Sequence, residues 1–283
     1  MNKLAIVTPV RDEEDVVEEL ILSVVQQDLL PNEWVFVDDN SVDSTTNIIK
    51  SYSQKFEFIK LVSFPKDTNR TPGTGVIRAF EYGLNHLMQE YDFLLKLDAD
   101  LKFKPDYFQN IISEFEANEK LGIASGMIFE KNGKPVKKNI SDHPYGATKF
   151  YRKSCFDQIK PLEKIKTWDL IDNIKANIAG YETKIIASEK VKHLKPMESA
   201  AGKTNENFLK GYYSSYLFYL FPFAMLKSIK VMTEKPYIVG GVVYLSGYLY
   251  NLVINRERYS NSEVVKYLRK QQKNRLKKLF KLT

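Results

Sequence analysis

Acidic side chains recur in this sequence where short apolar runs stop, and their spacing limits the chemistry they could do. Asp98-Ala99-Asp100 comes just after Phe93-Leu94-Leu95, and Asp38-Asp39 directly follows Trp34–Val37. Two carboxylates one residue apart at the end of a buried strand offer hard oxygens to Mg²⁺ or Mn²⁺. Such a cation typically bridges one or two protein carboxylates to a substrate diphosphate. A D-x-D triplet arises easily by chance, so its place after the apolar run carries the argument; the other reading is a turn with solvated acids. Adjacent Asp38 and Asp39 repel each other unless something binds them, and a base or ribose hydroxyl is suited to do so. Asp43 or Ser44 can cap the helix that follows. Arg11-Asp12-Glu13-Glu14 after Thr8-Pro9-Val10 is equally readable as acids complementing a helix dipole. In Thr167-Trp168-Asp169, the carboxylate is either an N-cap or the neighbour of a ring that walls a sugar pocket. His193, in Val191-Lys192-His193-Leu194-Lys195-Pro196, reads as a structural histidine or as a ligand.

These residues need a scaffold that brings them together. Leu4–Val7, Trp34–Val37, Phe58–Val62 and Phe93–Leu97 read as buried strands. Val16, Val17, Leu20, Ile21, Val24 and Val25 form a helical stripe, as do Val76, Ile77, Phe80, Leu84, Leu87 and Met88. Alternation of strands and helices at this pitch predicts crossover units on a parallel sheet, which binds ligands at the carboxyl ends of its strands. Further on, Gly122–Phe129 and Thr183–Ala187 read as strands and Asp169–Ala179 as a helix. The division expected is an α/β unit over 1–205 and a helical extension over 206–283.

Bulk composition excludes several classes. At 283 residues with 43% hydrophobic and 27% charged side chains, the chain is neither disordered nor too small for a full core. One cysteine, Cys155, excludes an internal disulfide framework and suits a reducing cytoplasm. The first apolar run is too short for a signal peptide. The net charge of +7 is concentrated in residues 256–283, where ten Lys/Arg face two Glu. The body of the chain is therefore near neutral, and with few aromatics in the tail and no nucleic-acid motif, nucleic acid is not expected as a partner. Gly211–Leu226 and Pro236–Asn255 are uncharged and aromatic. The second is long enough to span a bilayer, but its glycines, proline and tyrosines favour an interfacial hairpin or a buried helical pair.

With these residues in view, the chain resembles the family 2 glycosyltransferases, which have the GT-A fold, a Rossmann-like, mostly parallel mixed sheet flanked by helices. Thr8-Pro9-Val10-Arg11-Asp12-Glu13-Glu14, Val37-Asp38-Asp39-Asn40-Ser41-Val42-Asp43-Ser44-Thr45 and Asp98-Ala99-Asp100 occur in the family's order. The stretch Gly73–Leu84 is similar to the phosphate-side segment of polyprenol-phosphate sugar transferases, and the resemblance covers roughly residues 3–196. It implies that Pro9, Arg11, Glu13 and Asp39 line the nucleotide pocket, with Asp39 accepting a hydrogen bond from the base. It implies that Asp98 and Asp100 hold the diphosphate of a UDP- or GDP-linked sugar through Mg²⁺ or Mn²⁺, with Arg78 or Lys195 as nearby cations. His193 stands where some relatives supply a further metal ligand. Asp169 matches the family's catalytic base, at a helix start that favours a negative charge. Two departures stand out: Arg11 replaces an aromatic beside the base, making any stacking there cation–π, and Trp168-Asp169 replaces a commoner Glu-Asp pair.

The resemblance implies an inverting, metal-dependent transfer of a sugar to an acceptor hydroxyl, saccharide or lipid-linked, in glycan, polysaccharide or glycolipid synthesis. The loop Met197–Asn207, hinged at Gly202, is expected to close over the donor. An anionic membrane surface is expected against 206–283, at the inner face of the cytoplasmic membrane, and self-association is left open. The competing readings are a nucleotidyltransferase, which would place a basic glycine-rich loop after the first strand, and a non-catalytic membrane-associated protein of the same fold.

Overall fold

The apolar runs of the first half become strands covered on both faces. The computed structural model describes residues 2–65, 74–136, 143–195 and 202–279. Here β1 (Leu4–Val10), α1 (Val17–Val25), β2 (Glu33–Asp38), α2 (Thr45–Ser53), β3 (Ile59–Ser63), α3 (Gly75–Leu84) and β4 (Phe93–Leu97) follow one another. β1 lies between β2 and β4, β3 lies outside β2, and all three pairings are parallel. Period-two alternation decides which face each side chain serves. Leu4 and Ile6 pack with Val17, Leu20, Ile21 and Val24 of α1, while Ala5 and Val7 pack with Ile77 and Phe80 of α3. The second stripe runs only to Leu84; Met88, placed in it by spacing, lies beyond the helix and is 81% exposed.

Chain direction then changes within the sheet. β5 (Leu101–Phe103), α4 (Tyr107–Ala117), β6 (Leu121–Phe129), β7 (Thr148–Arg152), α5 (Lys153–Ile159), α6 (Trp168–Ile178) and β8 (Glu182–His193) complete it. The eight strands lie in the order β3-β2-β1-β4-β7-β6-β8-β5. β7 is antiparallel to both β4 and β6, β8 is parallel to β6, and β5 is antiparallel to β8 at the edge. This is the mixed, mostly parallel sheet flanked by helices that the resemblance implied. β5 and β7 were not legible in the sequence, and β8 is longer than Thr183–Ala187, so His193 closes the strand instead of following it.

The chain divides into two compact units, Met1–Pro196 and Met197–Thr283. The second is helical: α7 (Gly202–Tyr216), α8 (Phe221–Met232), α9 (Val239–Leu249), widened into a π-turn over Tyr250–Asn255, and α10 (Ser262–Leu279). α7 and α9 cross at backbone contact. A Cβ on Gly211 would lie 1.8 Å from the Tyr244 carbonyl oxygen, and one on Gly247 would lie 2.1 Å from that of Phe208. The glycines that weaken the hydropathy of this stretch are therefore what lets the helices pack. Buried tyrosines complete the joint, with Tyr244 Oη donating to Ser214 Oγ at 2.7 Å and Tyr248 Oη to the Tyr219 carbonyl at 2.7 Å. Among the described residues no helix is long and apolar enough to cross a membrane.

Candidate active site

The parallel strands deliver their loops to one rim. Val10 and Asp38 are register partners at the ends of β1 and β2, and the Asp39 amide donates to the Val10 carbonyl at 2.8 Å. The loops that follow are laced together. Asp12 N donates to Ser41 Oγ at 3.1 Å, Val42 N to Asp12 Oδ1 at 2.9 Å, and Glu13 N to Thr45 Oγ1 at 2.7 Å. Glu14 N donates to Asp43 Oδ2 at 3.1 Å, and Ser44 N to Glu14 Oε2 at 2.8 Å. Within these loops Asp12 and Asn40 adopt the left-handed region, at φ 52° and 59°, which costs an ordinary residue about 1–3 kcal/mol. Asp12, Glu14 and Asp43 thus join two loops, a stronger role than complementing a helix dipole.

What remains at this end is the expected nucleotide side. Pro9 is half-buried and follows Val7, the last residue of β1 paired with β4, where a strand tolerates a missing N–H. Arg11 is exposed, its Nε 3.4 Å from Asp12 Oδ2. Of the adjacent carboxylates, buried Asp38 turns inward and accepts from Ser41 N at 3.2 Å, while Asp39 is half-buried. The start of α3 stands beside it: a Cβ on Gly75 would come within 4.0 Å of Asp39 Oδ2. Arg78, half-buried, follows one turn later.

Asp98 and Asp100 emerge in the turn from β4 to β5. The Asp98 amide donates to the Ala147 carbonyl at 2.8 Å, and its carboxylate takes the ammonium of buried Lys96. Asp100 Oδ2 lies 3.5 Å from His193 Nδ1. That nitrogen also donates to the Lys195 carbonyl at 2.7 Å, so it carries a proton and Nε2 is the nitrogen left for another partner. The Lys195 ammonium reaches across to Glu13 Oε2 at 2.6 Å. Burial pushes the Asp100 carboxyl above its ordinary pKa, the charge of Asp98 adds to this, and His193 and Lys96 only partly offset it. Glu13 is raised too, chiefly by burial, with Lys195 opposing. The corner gathers three carboxylates, Glu13, Asp98 and Asp100, against the ammoniums of Lys96 and Lys195.

A divalent cation suits this donor set: carboxylate oxygens repelling one another, next to an imidazole whose free nitrogen is fixed by its other hydrogen bond. Among the described residues, no three His, Cys, Asp or Glu side chains could enclose an ion alone. A cation here would draw its remaining oxygens from a bound diphosphate, as Mg²⁺ and Mn²⁺ commonly do.

Asp169 approaches from the antiparallel half. A Cβ on Gly146 would lie 3.2 Å from Asp169 Cβ, and the next residue, Ala147, is the one bonded to Asp98. Asp98 and Asp169 therefore flank the same two-residue segment. The helix cap is Thr167, so Asp169 sits within the first turn and is not the N-cap. Its carbonyl accepts from Lys149 Nζ at 2.7 Å. Lys149 also bonds Asp172 Oδ1 at 2.6 Å, and Tyr151 Oη donates to Asp172 Oδ2 at 2.5 Å. Burial raises the Asp172 carboxyl above its usual range, with Lys149 pulling the other way. Trp168 is only 6% exposed, with the Lys96 and Lys149 ammoniums 5.5 and 5.3 Å from its ring. It is a core residue between two cations, not the open wall of a sugar pocket. Lys96 and Lys149 escaped the sequence reading; Lys96 is signalled by a lysine inside an otherwise apolar strand, and Lys149, in Thr-Lys-Phe-Tyr-Arg, has no such signal. The segment 197–201 of the expected lid lies outside the described residues, and Gly202, its expected hinge, has φ +73°.

Comparison with known proteins identifies the family and the fold. The model of the family described as glycosyl transferase family 2 matches residues 5–178. A poly-beta-1,6-N-acetyl-D-glucosamine synthase of Staphylococcus epidermidis is 28% identical over 115 residues, 41% of this chain and 26% of that protein. The chain thus matches well under half the length of that relative. Among solved structures, S. aureus TarS 1-349 in complex with UDP-GlcNAc superposes with a TM-score of 0.56 at 16% identity, over 89% of this chain and 73% of that one. Mannosyltransferase PcManGT from Pyrobaculum calidifontis, in complex with GDP-Man and Mn2+, gives 0.57 at 13% identity, over 100% and 88%. These likenesses show the GT-A fold. With the family model covering more than half the sequence and the fold shared, the chain belongs to glycosyl transferase family 2.

Proposed function

We propose that this glycosyltransferase is inverting and divalent-metal-dependent, moving a sugar from a nucleoside diphosphate sugar to an acceptor hydroxyl. The observation that carries the proposal is the single rim on which Asp39, Asp98, Asp100 and Asp169 stand, tied together through Val10, Ala147 and Gly146. The bound species named for the structural relatives, UDP-GlcNAc in one and GDP-Man with Mn2+ in the other, support a donor of this class. Asp39 would hold the nucleoside, with Pro9, Arg11 and Glu13 around it. Asp98, Asp100 and His193 would hold the cation, which when bound neutralises charge developing on the leaving diphosphate. Lys195, paired with Glu13 and close to Asp100, adds a second positive group there, and Arg78 stands on the α3 side. Asp169 would take the proton from the acceptor hydroxyl on the opposite side of the sugar, and attack from that side inverts the anomeric centre. The acidic loop after β1 disfavours a nucleotidyltransferase, and a binding protein without activity would have no use for Asp169.

Asp169→Asn is the direct test. It is expected to lower transfer about 10²–10⁴-fold, the usual contribution of a general base, while calorimetric binding of the nucleoside diphosphate with Mn²⁺ persists. Loss of both together would assign Asp169 a structural role.

The acceptor reading extends to a membrane surface. α8 exposes Phe221, Met225 and Ile229 at helical spacing, and the π-turn exposes Leu252, Val253 and Ile254. α10 carries Lys/Arg along its length, each worth about 1 kcal/mol near anionic lipid. The chain is expected to float with anionic vesicles and not with zwitterionic ones, and Phe221→Asp/Ile229→Asp is expected to abolish flotation. Equal partitioning of both proteins into both vesicle types would end this reading.

A further inference from the structure

Away from the carboxylate rim, β5, the end of β8 and the turn after β6 line an open cavity of about 470 Å³, within the range of small-molecule sites. Five lysines line it, Lys102, Lys104, Lys131, Lys190 and Lys192, against one glutamate, Glu130, beside the half-buried Phe129. The strand pattern puts the charges there. Along β5 and the end of β8 buried residues alternate with exposed ones, so Lys102, Lys190 and Lys192 share the exposed face. Lys102 and Lys192 are direct partners across the antiparallel ladder, an arrangement of like charges that costs stability. Lys102 is partly compensated by Glu19 at 3.1 Å, and the Lys190 ammonium lies 5.6 Å from the centre of the Phe129 ring. Among the described residues, Lys104, Lys131 and Lys192 pair with no carboxylate.

Lysines on an edge strand also discourage edge-to-edge aggregation, but that purpose needs charges spread along an exposed edge. Here they ring a concavity that also holds the Phe129 ring. We infer that this cavity binds an anionic saccharide, its ring against Phe129 and its oxyanion, phosphate or carboxylate, among the lysines. The ladder ties the cavity to the reaction site. The pair next to Lys102–Lys192 is Leu101–His193, and the Leu194 amide bonds the Asp100 carbonyl at 2.8 Å. Successive residues of a strand point to opposite faces, so the lysines stand on the other side of these strands from Leu101 and His193, and an acceptor held here by its charged unit reaches the rim only with a further unit. This assignment rests on the transferase reading and deepens it: the acceptor carries negative charge on a unit other than the one that receives the sugar.

Acetylation of lysines by an amine-reactive reagent, quantified by mass spectrometry, tests it site by site on the full chain. Glucose 6-phosphate or glucuronate is expected to slow modification of Lys102, Lys104, Lys190 and Lys192 at least about threefold relative to Lys153, which lies outside the cavity. Neutral glucose is expected to protect none of them, and the better of the two anions identifies the oxyanion. Lys102→Gln/Lys192→Gln is expected to remove the protection of Lys104 and Lys190 and to leave binding of a nucleoside diphosphate with Mn²⁺ unchanged. No protection by either sugar anion, or protection by inorganic phosphate as strong as by glucose 6-phosphate, would overturn the assignment. Because nucleotide binding is read separately, either result leaves the donor reading standing or falling on its own measurement.

Discussion

Asp100→Asn is expected to lower sugar transfer by at least about 10²–10³-fold, the scale on which a charge-stabilising group at a leaving diphosphate acts, and to make the protein more stable. Both effects come from the same surroundings. Burial and the charge of Asp98 hold the Asp100 carboxyl above its ordinary pKa. A folded-state pKa above the unfolded value means that the native chain binds the proton more readily. Ionising Asp100 therefore costs stability at neutral pH, and that cost fades as pH falls through the raised pKa. Asparagine reproduces the uncharged form at every pH, so the variant should melt above the parent near neutrality and lose that advantage in acid. It should also lose the rise in Tm that Mn²⁺ with a nucleoside diphosphate confers on the parent. Thermal melts across pH, with and without these ligands, check all of this alongside turnover. Unchanged turnover would remove Asp100 from the metal site, and a drop in Tm would show that the carboxylate has a structural partner.

The second large effect is on folding. Lys149 and Asp172 form an ion pair with side-chain exposures of 0% and 1%, and Tyr151 Oη shares the carboxylate. Asp172→Ala leaves a buried ammonium and a buried phenol without their acceptor, and such one-sided removal costs about 3–5 kcal/mol. Typical domains have only about 5–15 kcal/mol in total, so urea melts should shift markedly or show partial unfolding. Lys149→Met/Tyr151→Phe/Asp172→Leu removes all three polar partners together and is expected to recover most of the loss. An equal deficit in the single and triple variants would mean that packing volume, and not charge pairing, is what α6 requires. Since the Asp169 carbonyl also rests on Lys149, the triple variant should transfer sugar more slowly than its stability alone explains.

These expectations show what could be read from the residues in order and what could not. β1 to β4 were legible because the strands of a parallel sheet need mostly apolar runs, and the loops carrying Asp39, Asp98 and Asp100 follow directly from those runs. β7 was not legible: Thr-Lys-Phe-Tyr-Arg looks polar until Lys149 is matched with a carboxylate 23 positions away. β5 has only three residues with a charge in the middle, below the length at which alternation means anything. β8 looked short because its register against β6 slips between Gly126 and Met127, leaving Ala187 and Ser188 exposed within the strand. Asp169 was identified by resemblance and by its place before a helical stretch. The lysines beneath it were missed because neither local spacing nor hydropathy records a contact between strands.

The β4–β7 ladder, where parallel pairing gives way to antiparallel, joins the two halves of the sheet through five residue pairs. On its β1 side lie the loops proposed to select the nucleotide; on its other side lie Asp169 and the lysine-lined cavity proposed to select the acceptor. On these assignments the nucleoside contacts and the acceptor contacts come from different loops, while His193 and Lys195 at the end of β8 tie the diphosphate side to both halves.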